Sequence, residues 1–181
     1  MREAKRRKRD IVTKDYWDRF HCGCTHQCDN RCLNRSMACE CDSDNCNQPD
    51  ECHNRPFARM MAQNIGSRVE LMATERCGTG LQATMPFRTG QFIIEYTGRI
   101  VEGRTITEQL NAGKGQYLLR LSNNKAIDGS MDGSIARYTN HSCEPNCEMV
   151  KWNVKSVEHI ILVASRDIDP SEELTCDYGH M

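Results

Sequence analysis

The pattern of apolar and polar positions divides the chain into three stretches. Between residues 11 and 20, Val12, Tyr16 and Phe20 recur at helical spacing, which predicts a short helix with one apolar face. Between Cys22 and Cys52 apolar residues other than cysteine are few, and Gly23, Asn30 and Asn34, with Asn54 just beyond, read as turn formers. From Arg68 onward the pattern is that of strands. Val69-Glu70-Leu71-Met72-Ala73 alternates, residues 91–96 are β-branched and aromatic, and residues 117–121, 148–154 and 159–163 continue the series. Asn123-Asn124 and Asp132-Gly133 mark turns, and Pro86 and Gly90 bracket another before the 91–96 run, read as the longest strand. Within this body only residues 105–111 read as a short helix. The expected fold is a mostly-β body of small twisted sheets with short helices. It follows a segment with too little apolar surface to offset its own ordering entropy.

At 181 residues the chain suits one core-bearing domain plus a small module. The formal net charge is −1, so any contact with nucleic acid has to be local. Lys5, Arg6, Arg7, Lys8 and Arg9 are five consecutive cations. They fit a solvated tail, a nuclear import signal or an arm on DNA phosphates, and the sequence leaves all three open. Twelve cysteines are unevenly placed: eight lie between Cys22 and Cys52, the others at Cys77, Cys143, Cys147 and Cys176. Such density means disulfides in a secreted domain or metal in an intracellular one. The basic head has no apolar signal-peptide core and no run approaches membrane-spanning length, so the expectation is an intracellular, reducing compartment with no membrane contact. Metal is then the better reading of the cysteines. Zinc suits best, being redox-inert and at home in closed tetrahedral thiolate sites, with an iron–sulfur cluster as the alternative.

Residues 137–147 read Arg137-Tyr138-Thr139-Asn140-His141-Ser142-Cys143-Glu144-Pro145-Asn146-Cys147. That run is too polar and too turn-prone for an ordinary core element. Its part from Asn140 to Cys147 resembles the NHSCxPNC motif of SET-domain protein lysine methyltransferases, and Glu173-Leu174-Thr175-Cys176-Asp177-Tyr178 resembles the same family's ELTxDY motif. The resemblance implies the SET fold, in which these two segments cross in a knot-like arrangement beside the methyl donor. Gly78-Thr79-Gly80 resembles the family's GxG motif, with Thr79 where an aromatic usually stands. Glu95-Tyr96-Thr97-Gly98-Arg99 resembles the EYxGE strand, with Arg99 in place of the acid, and residues 100–116 correspond to the insert that walls the peptide groove. Carried over by position, Tyr178 is the catalytic tyrosine, and Tyr117 lines the lysine channel and the donor pocket. Asn140 and His141 hold the adenosyl part of S-adenosylmethionine, and Gly78, Thr79, Gly80, Gln116 and Arg137 complete its pocket. Tyr96 and Tyr138 read as core.

The cysteine segment resembles the AWS motif that precedes some SET domains, carried by Cys32-Leu33-Asn34-Arg35, Glu40-Cys41 and Cys52-His53-Asn54-Arg55. The resemblance implies two zinc ions bridged by one thiolate. Cys22, Cys24, Cys28 and Cys32 would hold one ion, and Cys28, Cys41, Cys46 and Cys52 the other. Cys39 has no counterpart and is expected to be a bystander, while His21, His26 and His53 read as surface residues. The implied division is a basic segment over 1–20, the AWS module over 21–58 and the SET domain over 59–181. In the family a third zinc joins Cys147 to three cysteines of a tail; Cys176 is the only later cysteine here, so that site is not expected, and the enzyme would be weak or dependent on an activating partner. AWS followed by SET is the arrangement of the ASH1, NSD and SET2-like group, and the middle of the body looks closest to ASH1. This implies a nuclear, chromatin-bound enzyme acting on the histone H3 tail in nucleosomes, most simply at lysine 36. A silent SET module that binds chromatin or a partner is the competing reading.

Overall fold

A computed structural model describes residues 21–48, 52–75 and 77–180; the expected 11–20 helix and the cations from Lys5 to Arg9 lie outside them. The body is layered on one strand, β9 (Val157–Ala164), which pairs antiparallel with β8 (Cys147–Val154) on one side and β3 (Phe92–Tyr96) on the other. Side chains alternate across a strand, and both faces of β9 are covered. Ile160, Leu162 and Ala164 enter the main core with Val69, Leu81, Phe87, Ile93, Ile94, Ile168 and Leu174. Ile161 and Val163 point the other way, onto Phe92, Trp152 and Met60. This two-sided burial explains the unbroken apolar run 160–164. With eight residues each, β8 and β9 exceed the five of β3, so the 91–96 run is not the longest strand.

The other sheets are small. β1 (Val69–Thr74) pairs antiparallel with β2 (Gly78–Ala83); β4 (Arg99–Glu102), β6 (Lys125–Asp128) and β5 (Leu118–Arg120) form a three-stranded sheet with β6 central. Asn123 and Asn124 join β5 to β6 with φ of 58° and 57°, the left-handed pair that an Asn-Asn turn accommodates. The expected helix is present as α3 (Arg104–Asn111), whose Ile106 is buried. Tyr117 was expected to open a strand but closes a 3-10 turn, Gly115–Tyr117, where a Cβ on Gly115 would stand 2.7 Å from Leu110 Cδ2.

The cysteine segment contains α1 (Leu33–Ser36) and leads into α2 (Pro56–Met61), a helix not foreseen from the sequence that spans the expected 58/59 boundary. Proline at its first turn suits a position whose N–H needs no helical partner. The free N–H groups of Phe57 and Ala58 go to the Glu40 carboxylate at 3.0 and 2.8 Å, and Trp152 Nε1 on β8 donates to the same carboxylate at 2.8 Å. Backbone bonds Glu40 N to Asn153 O and Asn153 N to Ala38 O, both 2.8 Å, add the segment to the edge of β8. Glu40, only 4% exposed, is thus a polar rivet between the cysteine segment and the body.

Candidate active site and metal centre

The two polar motifs meet. β7 (Asn140–His141) pairs in parallel with β10 (Thr175–Cys176), Asn140 opposite Thr175 and His141 opposite Cys176. Parallel neighbours need a long connection, here the whole β8–β9 hairpin. The segment leading to β10 also binds β2 on its other side, through Ala83 N to Glu172 O and Leu174 N to Leu81 O. The chain end therefore runs between β2 and residues 140–146, which is the expected knot-like crossing. Asn146, 3% exposed, ties it: its Nδ2 donates to Glu173 O at 2.8 Å and its Oδ1 accepts from Thr175 N at 2.9 Å.

This crossing sets Tyr178 beside His141. Tyr178 N donates to His141 Nδ1 at 3.2 Å, and the two rings lie 5.4 Å apart between centroids. The Tyr178 hydroxyl donates to Thr139 O at 2.8 Å, while the residue stays 46% exposed. Partial burial, then the neighbouring Cys176, Tyr117 and Cys77, push its phenol above the ordinary value, so it is protonated at neutral pH. Tyr117 is held by its backbone: its carbonyl accepts from Tyr96 Oη at 2.9 Å and from Gly129 N at 3.0 Å. Tyr96 is buried, as expected, and burial likewise keeps its phenol neutral. Tyr138 is only half-buried, with Arg137 Nη2 donating to its hydroxyl at 2.8 Å. The Arg137 Nη1 group donates to Gly129 O and Ser130 O, so this arginine braces the loop after β6.

On β2 the two glycines differ. Gly78 has φ +73° and open space where a Cβ would be, and Thr79 beside it is exposed. At Gly80 a Cβ would stand 2.7 Å from Glu173 Oε1 and 3.1 Å from Asn140 Nδ2, two groups already bonded to each other at 2.8 Å. Gly80 therefore makes room for the motif segments, and Gly78 faces open space. Gln116 is exposed, one residue before Tyr117.

In the cysteine segment seven sulfurs converge. The Sγ atoms of Cys22, Cys28, Cys32 and Cys41 lie within 4.8 Å of one another, as do those of Cys28, Cys41, Cys46 and Cys52. The second set is the one carried over by position. The first holds Cys41 where Cys24 was expected; Cys24 packs on the cluster. Individual pairs stand 3.5–3.8 Å apart, too far for a disulfide. Four thiolates around one zinc at 2.3 Å would be spaced by about 3.8 Å, so the sulfurs fit that ion. Burial pushes the thiols of Cys28 and Cys41 well up and that of Cys24 to about 11; Cys22, although burial opposes it, is held at about 6 by backbone N–H groups of Cys24 and Asn47. Asn34 and Asn54, read from sequence as turn markers, are instead buried sulfur donors, their Nδ2 atoms 3.4 and 3.2 Å from Cys41 Sγ. Cys39 is buried beside β8, outside both sets, and His21, His26 and His53 are exposed.

The chain matches the SET domain family model over residues 78–179. It belongs to the SET-domain family. The SET match is preceded by an AWS domain match over residues 18–60. Relatives include the histone-lysine N-methyltransferase ash1 of Drosophila melanogaster, 35% identical over 171 residues that cover 90% of this chain. The histone-lysine N-methyltransferase ASHR3 of Arabidopsis thaliana is 32% identical over 164 residues, 86% of this chain. A histone-lysine N-methyltransferase of Saccharomyces cerevisiae described as H3 lysine-36 specific is 33% identical over 178 residues, 94% of this chain. This SET chain spans 8%, 32% and 24% of those proteins, respectively.

In this SET domain, then, Asn140, His141 and Tyr178 are in one place, with Gly80 against Asn140. Tyr117 is fixed through its carbonyl by Tyr96 Oη and Gly129 N, whereas Arg137 is turned to the loop it braces. Sequence reasoning gave no separate role to Glu173 or Asn146. Each had one visible signal, a polar group inside a motif that had to find a partner.

Proposed function

We propose that this chain is an S-adenosylmethionine-dependent protein lysine methyltransferase acting on histones in chromatin, with histone H3 lysine 36 in nucleosomes as its target. The meeting of β7 with β10, which puts Tyr178 over His141, carries the reading. The printed descriptions of the relatives support the histone substrate and, for the yeast protein, the lysine. In this reading residues 21–58 are a zinc-stapled platform in the nucleus, held by Cys22, Cys24, Cys28, Cys32, Cys41, Cys46 and Cys52, and residues 59–181 carry the chemistry.

The bound donor would supply an electrophilic methyl on a sulfonium. Open backbone at Gly78 and Thr79, the Asn140 amide and the His141 ring suit such a polar ligand. The protein has to present a neutral lysine amine, scarce near pH 7 because the free pKa is about 10.4. A wall of phenols from Tyr178 and Tyr117 removes water from the ammonium and so favours the amine. Tyr178 keeps its proton for Thr139 O, which leaves its oxygen lone pairs free to accept from the incoming amine and orient it. Holding the amine in line is worth about 7–11 kcal/mol of barrier.

Transfer of labelled methyl groups onto nucleosomes, free histones and nucleosomes carrying lysine-36-substituted H3 tests the reading. Tyr178→Phe should lower turnover by about 10²-fold, as loss of one positioned group does. Undiminished turnover would remove the role given to Tyr178, and full labelling of the substituted nucleosome would move the target elsewhere.

A further inference from the structure

Where α2 leaves the cysteine segment and reaches the body, a surface-open cavity of about 300 Å³ lies away from the SET site. Arg35 of α1, Arg59 of α2 and Arg68, just before β1, line it, together with Gln63, Gln91 and Phe92. No carboxylate is among its lining residues. Two carboxylates bond to groups close by and are already satisfied: Glu40 by Phe57 N, Ala58 N and Trp152 Nε1, and Asp167 by Arg88 and by Thr89 of the cavity rim. In a protein of net charge −1, three guanidinium groups around one cavity form a local positive field.

Arg68 is the telling member, being 1% exposed. Its Nη1 donates to Met60 O at 3.2 Å and its Nη2 to Phe92 O, and its guanidinium lies over the Phe87 ring. These are dipoles and a ring face; no anion pairs with it among the described residues, and its buried Nε has no partner. A buried cation so arranged is poorly compensated by the protein alone. Arg59 is exposed at the mouth, with one Nη2 bond to His53 O, and Arg35 is half-buried beside it. Guanidinium forks of this kind match a tetrahedral oxyanion.

We propose that this seam is an anion site that takes a phosphate group, either the free ion or a phosphate of a nucleic-acid backbone. It is independent of the methyl-donor site, so its test needs no turnover. Arginine Nε–Hε NMR signals of the full chain are followed while sodium phosphate is added against sodium chloride of equal ionic strength, and again with a short DNA duplex. The signals of Arg35, Arg59 and Arg68 should shift. Response to both assigns a general phosphate site, to DNA alone a backbone site, and to phosphate alone a free-anion site. No response to either, or response only to an acidic peptide, overturns the proposal. If DNA binds, the Arg59→Gln variant should weaken it about tenfold at fixed salt and lower the salt slope by about one. Arg120→Gln, an equal charge change at the exposed end of β5, should stay within about twofold. Equal weakening by Arg120→Gln would also overturn the site.

Discussion

In the segment from Cys22 to Asn54 the buried apolar cluster is sulfur: Cys22, Cys28, Cys32, Cys41 and Cys46, with Cys24 and Cys52 packed on them. Across the Glu40 rivet the body buries Val69, Leu81, Phe87, Ile93, Leu162, Ile168 and Leu174. Both are closed interiors, yet the first brings together thiols whose burial opposes charging, and the second brings together hydrocarbon that water already expels. The first interior has the donors to be closed by a bound metal ion. The second depends on the chain alone. The contrast explains how a segment with few apolar residues can carry the buried asparagines Asn34 and Asn54: their amides answer sulfurs, not hydrocarbon.

Chelation is the hardest test of this contrast. Structural zinc contributes about 10–16 kcal/mol in small domains, so removing metal should abolish amide-exchange protection from Cys22 to Asn54 while β8 and β9 stay protected. Protection of that segment after verified metal loss would mean that its interior holds without an ion. The converse cut is Leu162→Ala, fully buried on β9, which should cost about 2–5 kcal/mol in urea unfolding without releasing metal. Metal lost in step with that unfolding would make the two interiors one cooperative unit. Glu40→Ala removes the acceptor of three donors at the seam and should cost about 2–3 kcal/mol, since each buried group left unpaired is costly. Its signature is a split transition, tryptophan fluorescence changing at lower urea than the far-ultraviolet signal; coincident curves would deny the rivet.

The smallest effect separates the body's own buried thiols from the cysteine cluster. Burial raises Cys147 and Cys176 from 9 to about 12. A raised thiol leaves stability unchanged below pH 9, where it is protonated folded or unfolded, and stability falls as pH rises from 9 towards 12, where only the unfolded chain ionises. At pH 10 the loss is about 1.4 kcal/mol per thiol, and Cys176→Ala should remove its share of that slope. An unchanged slope would mean that the buried thiol ionises freely in the folded state.

Much of the body was legible because its signals are local. The alternation at 69–73, the apolar runs ending in β3 and β9 and the Asn123-Asn124 turn each follow from side-chain period or backbone preference. What escaped was decided at a distance. Strand β2 hides behind two glycines because the reason for Gly80 is the Glu173–Asn140 pair beyond it. Helix α2 is six residues long, and its first turn is capped by a carboxylate sixteen residues upstream of Pro56. Asn34 and Asn54 have the composition of turns, and only the sulfurs around them give them another use. For the candidate site, the motif residues were visible as types; that Arg137 would brace a loop was not.

The sequence by itself determined which residue types gather: thiols in one stretch, apolar alternation in another, and two polar motifs that resemble one family. These are properties of composition and short-range period, and no partner is needed to express them. Only the tertiary structure decided that the chain end would pass between β2 and residues 140–146, that Glu40 would join the two interiors, and that three arginines would share one seam. Each of those depends on groups far apart in the chain, brought together because burying one surface fixes where every attached polar group must find its partner.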